Sequence, residues 1–333
     1  MSAPILFCHF GYSNYLPFVL QAARRANPDK EVVLLGDERN VQLARECAVT
    51  HAFFRDYANG EEIDAFHACY RLIQGKDHRA FKSGVDWVKF VFLRWFYIYN
   101  YLRAQQIQSF WHFDSDTMIV EPLAPQEGKF QPYACTEQCN GICLMGWVSG
   151  PAVVGNYLRK INELFHREPY LAAQQREFDE QSPGYAFTEM RAFMAFRDEE
   201  RPPTVRLNRI VDGVSFDDYI VVEHGLEMER LPNGKPVKRV GLSSDGRFYC
   251  RDLATGAAVR MISFNMSWAP FYLYPLILQH MSGQRGELAA LADFDRLPTL
   301  CSQIPRRYRA SAAIKRMGRA VPRFFRGRAA AAT

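Results

Sequence analysis

Residues Ile5 to Phe10 and Glu31 to Leu35 are short β-rich runs, and the stretch between them, Tyr15 to Ala26, places Leu16, Val19, Leu20 and Ala23 on one helical face. A strand, a crossover helix and a second strand commit the chain to an α/β class with a parallel sheet at its start. In such sheets the ligand crevice lies beyond the carboxyl ends of the strands. His9-Phe10-Gly11-Tyr12-Ser13-Asn14 and Gly36-Asp37 fall there. No Gly-x-Gly-x-x-Gly follows the first run and no Gly-x-x-x-x-Gly-Lys-Ser/Thr occurs, so dinucleotide and P-loop chemistry lose their usual support.

A second strand end carries the chemistry. The apolar run Ser109-Phe110-Trp111-His112-Phe113 stops at Asp114-Ser115-Asp116, where the chain turns and aims two carboxylates at one point. Like charges that close repel, and each raises the pKa of the other unless something positive lies between them. Magnesium or manganese is the natural candidate. These cations take one or two carboxylates and complete their shell with water and substrate phosphates. The alternative is an acidic turn with Ser115 at its tip. The spacing before this motif predicts a long helix from about Asp86 to Ala104 with Val88, Phe92, Trp95, Phe96 and Tyr99 on one face. Lys89 and Arg94 interrupt it, either snorkelling to solvent or reaching a phosphate or carboxylate.

Of the 333 residues, 48% are hydrophobic and 23% charged. That composition excludes disordered, coiled-coil and collagen-like classes and allows a large core. The N-terminus enters a strand pattern at once, so no secretory signal is expected. No window supplies the roughly 18 apolar residues of a membrane span, since Val88 to Leu102 is broken by Lys89 and Arg94. Eight scattered cysteines read as reduced thiols; Cys135, Cys139 and Cys143 recur at four-residue steps, but Gly141 and the lack of a Cys-x-x-Cys pair weaken a zinc site. A helix is expected from about Val153 to His166, and hairpins from Tyr219 to Phe264, punctuated by Pro232-Asn233-Gly234-Lys235-Pro236 and Ser244-Asp245-Gly246.

From Ile304 on, nine basic residues occur without one acid, whereas the whole chain has a formal net charge of only +5. Ile314, Met317, Val321, Phe324 and Phe325 interleave with them. This amphipathic pattern suits an anionic membrane surface; a solvated tail and a nucleic-acid arm are the alternatives, the latter without a second basic patch in the body. The expected location is the cytoplasm, peripheral on the inner face of the membrane.

The order of these features resembles the GT-A class of nucleotide-sugar-dependent glycosyltransferases, the nucleotide-diphospho-sugar transferase family. Phe92-Leu93-Arg94-Trp95-Phe96 and Tyr99-Asn100-Tyr101-Leu102 are similar to the Arg-Trp-Phe signature before the metal motif of that group, and Phe113-Asp114-Ser115-Asp116 to its Asp-Ser-Asp strand end. Asn140-Gly141-Ile142-Cys143-Leu144 resembles the segment flanking the acceptor cleft, and Phe187-Thr188-Glu189-Met190 an acidic-Met word. The likeness spans roughly residues 5 to 268. It implies a Rossmann-like mixed sheet in one GT-A domain over 1–300, with a nucleotide-sugar half over about 1–125, an acceptor half over 126–300 that includes the hairpins of 219–264, and a basic tail over 304–333.

The resemblance further implies a nucleotide-sugar donor, a UDP-sugar first, a glycan or glycolipid acceptor, no nucleic acid, and manganese or magnesium at Asp114 and Asp116. Asp114 would orient the ribose or a metal-bound water. Arg94 or Lys89 would supply a cation to the departing diphosphate. Phe10, Tyr12 and Asp37 lie where a base could stack and a ribose hydroxyl could find a carboxylate, although each aromatic equally suits a core. Should the enzyme invert, Glu189 and then Glu137 are the candidate bases; a retaining enzyme needs none. In the family a late His-Phe-x-Gly element completes the metal shell. Here Ile262-Ser263-Phe264-Asn265-Met266-Ser267-Trp268 takes its place, so Ser263 stands where a histidine is expected, and His224 is a substitute. Asn265-Met266-Ser267 matches a glycosylation sequon by accident if the chain is not exported. Two other readings stay open: a phosphotransferase of the haloacid dehalogenase type, and a non-catalytic sugar- or nucleotide-binding protein at a membrane.

Overall fold

The computed structural model describes residues 2–78, 87–281, 293–305 and 308, and they fall into two compact units. The first takes the chain up to Asp218 together with Ile262–Asn265; the second takes Tyr219–Met261 and the residues from Met266 on.

The first unit opens as the periodicity predicts, with β1 (Ile5–His9), α1 (Leu16–Ala26) and β2 (Val32–Gly36), then α2 (Val41–Glu46) and β3 (Thr50–Phe53). Every residue of β1 and β2 is buried, as befits parallel strands covered on both faces. Helices α3 (Glu61–Cys69) and α4 (Trp87–Ala104) follow; Asp86, the expected first residue of α4, lies outside the described residues. Next come β4 (Phe110–Asp114), β5 (Thr117–Ile119), α5 (Ala124–Phe130), β6 (Cys135–Gln138) and β7 (Cys143–Val148). Helices α6 (Pro151–His166), α7 (Glu168–Glu180) and α8 (Glu189–Glu200) precede β8 (Thr204–Arg206) and β9 (Val214–Phe216).

Seven strands form one mixed sheet in the order β3-β2-β1-β4-β7-β6-β8. The first four run parallel; β7 runs antiparallel to β4 and to β6. This is the Rossmann-like mixed sheet expected from the sequence. The register of β1 on β4 sets Cys8 opposite Asp114, so the residues that follow both strands emerge side by side. One face of the sheet is packed by aromatics: Phe66 of α3 stacks on Phe96 of α4 at 5.0 Å, and Phe165 of α6 meets Phe92 edge-on at 5.4 Å. Of the residues that marked the apolar face of α4, Val88, Phe92, Trp95 and Phe96 are buried, and Tyr99 is half-buried.

In the second unit β10 (Met228–Arg230) and β11 (Pro236–Lys238) form a hairpin over the predicted Asn233-Gly234 turn. Strand β12 (Gly241–Leu242) pairs with β13 (Phe248–Arg251) across Ser244-Asp245-Gly246, and β13 with the start of β14 (Ala258–Asn265). Helix α9 (Leu273–His280) comes later. The last four residues of β14 belong to the first unit, where Ser263, Phe264 and Asn265 pair with Ile119, Met118 and Thr117 of β5.

Strands β6, β7 and β8 continue the sheet of β1–β4, and the first compact unit runs on to Asp218. Among the described residues no helix is long and apolar enough to cross a membrane. The basic stretch expected over 304–333 lies outside the described residues apart from Ile304, Pro305 and Tyr308.

Candidate active site

Asp114 is the last residue of β4, and its carboxylate accepts a hydrogen bond from Arg94 Nη1. The same guanidinium donates from Nη2 to Glu189 Oε1 at 2.7 Å. Arg94 is 9% exposed at its side chain, Glu189 8% and Asp114 31%, so the triad is an ion cluster with one acid at the surface. The fold explains its assembly. Helix α4 lies against the sheet with Trp95 and Phe96 in the core, which turns the adjacent Arg94 toward the end of β4. Glu189 is the first residue of α8, fixed from behind by the Tyr157 hydroxyl, which donates to its carbonyl oxygen at 2.6 Å.

Burial lowers the basicity of Arg94, but the charges of Asp114 and Glu189 outweigh it and raise its pKa. Its charge is thus permanent and already matched by two carboxylates. For Glu189, burial pushes the pKa up, the Arg94 charge opposes this and the Asp114 charge adds to it; the result is about 7. Oε2 of Glu189 is buried with no hydrogen-bond partner among the described residues, which makes it the place for a proton. A folded pKa above the unfolded one stabilises the fold fully below the unfolded value of 4.5, and this contribution disappears as pH rises through about 7. Stability is expected to fall between pH 5 and pH 8 by an amount on the order of 3 kcal/mol at most. Urea titrations at the two pH values should show that loss in the parent chain and a flatter profile in Glu189→Gln. Equal slopes would remove the protonated Glu189.

The Ser115 hydroxyl and His9 Nδ1 are hydrogen-bonded at 2.8 Å, a direct product of the β1–β4 register. Burial lowers the His9 pKa to about 4, so its imidazole is neutral near pH 7. Tyr15 is drawn into the same group: burial raises its pKa, hydrogen bonds from Ser13 and Ser115 oppose that, and the charges of Asp116 and Asp114 add to it. Both acids of the motif therefore act on one hydroxyl.

Beside them, at the carboxyl ends of β1, β2 and β3, lies a pocket of about 350 Å³ lined by Phe10, Asp37, Phe53, Lys89, Phe90 and Tyr97, among others. Gly11 takes a φ of 78°, and its N–H donates to Asp37 Oδ2 at 2.8 Å. At Gly36 a Cβ would collide with the Asn40 side chain, which itself bonds Gly11 O and Asp37 N at 2.6 and 3.0 Å. Burial would raise the pKa of Asp37, but Arg39 and the two backbone amides outweigh it and hold the carboxyl below its usual range. The Arg39 guanidinium also covers the Phe10 ring at 4.8 Å, and Phe10 contacts Phe90 at 5.6 Å. The Lys89 ammonium sits 5.1 Å from the Tyr70 ring.

Of the residues singled out in the sequence, Arg94, Asp114 and Glu189 meet directly, Asp116 acts with Asp114 on Tyr15, and Phe10, Asp37 and Lys89 share the pocket. Tyr12 is not among the pocket residues and is exposed. Glu137 is placed elsewhere in the sheet, accepting from the Thr204 hydroxyl and pairing with Arg206 at 3.3 Å. Ser263 lies opposite Ile119, its hydroxyl buried without a partner among the described residues, whereas Asn265 lies opposite Thr117, next to Asp116 in sequence. His224 belongs to the second unit, with a φ of 39°. His9, Tyr15 and Arg39 were missed. The available signal for His9 was its place at the end of the first strand, which a parallel neighbour brings beside the end of the next.

No protein-family model and no curated protein sequence matches the chain. Among solved structures it is similar to mouse xyloside xylosyltransferase 1 in its apo form, with 8% identity over 62% of this chain and 86% of that one and a TM-score of 0.40. It is also similar to the PaToxG glycosyltransferase, with 10% identity over 60% and 69% of the two chains and a TM-score of 0.36. A third is an active-site mutant of LgtC, with 12% identity over 62% and 72% and a TM-score of 0.33.

Proposed function

We propose that the chain is a glycosyltransferase that moves a hexosyl group from a UDP-sugar to a glycan or lipid-linked acceptor, with a divalent cation at Asp114 and Asp116. One observation carries this reading: the aromatic pocket and the paired acids are contiguous through two elements. At the end of β1, Phe10 lines the pocket and His9 bonds Ser115. On α4, Leu93 lines the pocket and Arg94 bonds Asp114. A ligand with an aromatic ring at one end and phosphates at the other fits that sequence of surfaces. The volume is at the small end for ligand pockets, which suits a single-ring base.

The donor set fits manganese or magnesium: two acceptor-only carboxylates at one strand end. Substrate phosphates and water would complete the shell of such a cation. Bound there, the cation neutralises charge growing on the departing diphosphate. The protein's own residues prepare that step. Arg94 holds Asp114 in a fixed rotamer, Glu189 holds Arg94, and Phe10 and Asp37 seat base and ribose, with Lys89, which lines the same pocket, as a cation that would face the phosphates. Glu189 thus serves as a positioning residue, and the acceptor hydroxyl gives its proton to the departing phosphate. A phosphotransferase using Asp114 as nucleophile fits less well, since that carboxylate is already paired with a buried guanidinium.

We also place the protein in the cytoplasm, on the inner face of the membrane, with the basic segment after Pro305 against anionic lipid. The enzymatic proposal is tested with the full chain, manganese and a panel of nucleotide sugars: time-dependent release of UDP that chelation abolishes is the expected result. Thermal stabilisation by UDP without turnover of any donor would replace the enzyme by a binding protein.

A further inference from the structure

His9 ends β1, a strand whose other residues are Ile5, Leu6, Phe7 and Cys8, and it is 8% exposed. An apolar side chain would pack there without the cost of drying a polar ring, so the imidazole serves something besides packing. Its Nδ1 is bonded to the Ser115 hydroxyl at 2.8 Å, whereas Nε2 is buried with no hydrogen-bond partner among the described residues. A buried polar atom left unmet is costly, and proteins keep one where a ligand meets it. The neutral ring carries one N–H and one lone pair, and whichever of these Nδ1 spends on Ser115, Nε2 holds the other. His9 pairs in register with Gly36, and Phe10, Gly36 and Asp37 line the pocket. The charges that act on the imidazole are those of Asp37 and Arg39. His9 thus stands between the pocket carboxylate and the serine of the Asp114-Ser115-Asp116 motif.

We infer that His9 is a specificity residue whose Nε2 bonds a ribose hydroxyl of the bound nucleotide and thereby selects ribose over deoxyribose. A hydroxyl both donates and accepts, so it satisfies Nε2 in either tautomer. A phosphate oxygen only accepts, and beside Asp37 it would meet a carboxylate that already collects hydrogen bonds from Gly11 and Arg39. The neighbouring negative charge therefore favours the neutral hydroxyl. Discrimination follows from the burial of Nε2, because an analogue lacking the hydroxyl leaves that atom unpaired in the complex. This inference rests on the nucleotide donor given under Proposed function and names the residue that reads its sugar.

The test is equilibrium dialysis of the full chain with manganese and UDP, 2′-deoxy-UDP or 3′-deoxy-UDP. These nucleotides share base and charge, so the ratio of their affinities isolates one hydroxyl. The parent is expected to bind UDP on the order of ten-fold more tightly than one of the deoxy analogues. In His9→Phe, UDP should fall to the affinity of that analogue, whose own binding stays as in the parent, and the preference disappears. The fraction of folded chain cancels in the ratio, so a partly folded variant still answers. His9→Gln, whose terminal amide reaches about as far as Nε2, should keep part of the preference. A parent without preference, or a His9→Phe variant that retains it, overturns the assignment. Equal weakening of all the nucleotides in His9→Phe would overturn it too, giving His9 a phosphate contact or a purely structural role. Those results leave nucleotide binding and the transferase reading standing, whereas a parent that binds none of the nucleotides removes both.

Discussion

Asp116→Asn is expected to lower kcat for sugar transfer on the order of a thousand-fold while leaving the urea midpoint within experimental scatter. The size follows from removing charge stabilisation that acts only as the diphosphate departs, the kind of interaction whose loss is felt in kcat more than in KM. The near-constant stability follows from the chemistry of the change, which keeps the shape of a side chain at a strand end and removes one of two neighbouring negative charges. A second readout separates the metal from folding: thermal stabilisation of the parent by manganese with UDP should vanish in the variant. If Asp116→Asn turns over at the parental rate, the paired acids are structural and the transferase reading loses its centre.

The second large effect concerns Arg94. Arg94→Met is expected to destabilise the chain by about 3–5 kcal/mol at pH 8, because it leaves Asp114 and the buried Glu189 facing each other without the guanidinium between them. At pH 5 the cost should shrink, since Glu189 escapes by binding a proton, a direction consistent with its pKa of about 7 even when Arg94 is present. Adding Glu189→Met to Arg94→Met should recover much of the stability, because an apolar pair of similar volume avoids the desolvation of two charges. Activity should not recover with it, as Asp114 has still lost the group that fixes its rotamer. Destabilisation that is equal at both pH values would argue that packing of the long arginine stem, and not its charge, sets the cost.

Much of this site was legible in the sequence because strand ends are. The β-α-β opening located the crevice, and the apolar run into Asp114 located the acids; both rest on patterns of period two or 3.6 that burial enforces. The role of Arg94 was legible only as alternatives. A lone basic residue on an apolar helix reads as snorkelling or as meeting a phosphate or a carboxylate, and only the placement of α8 after a long excursion reveals a second carboxylate on its other side. Glu189 illustrates the same limit: its identity as an acid at a helix start is visible, but its proton depends on how completely neighbouring elements exclude water. His9 was passed over since a histidine ending a strand carries no periodic signal, and its bond to Ser115 requires knowing that β1 and β4 are adjacent. Nor does the spacing mark the extent of the first unit, since β7 returns to the edge of β4 and extends the existing sheet.

The last four residues of β14 complete the first unit, although the chain has by then spent Tyr219–Met261 on the second. Residues 1–218 released from a ribosome therefore lack the partner of β5, and that strand presents bare amides and carbonyls until Ile262–Asn265 emerge. Nascent chains of this protein must wait for a late segment before an early one is closed. A fragment cut at the apparent boundary is a candidate for edge-to-edge association, so any attempt to shorten the protein has to keep, or graft back, the closing strand.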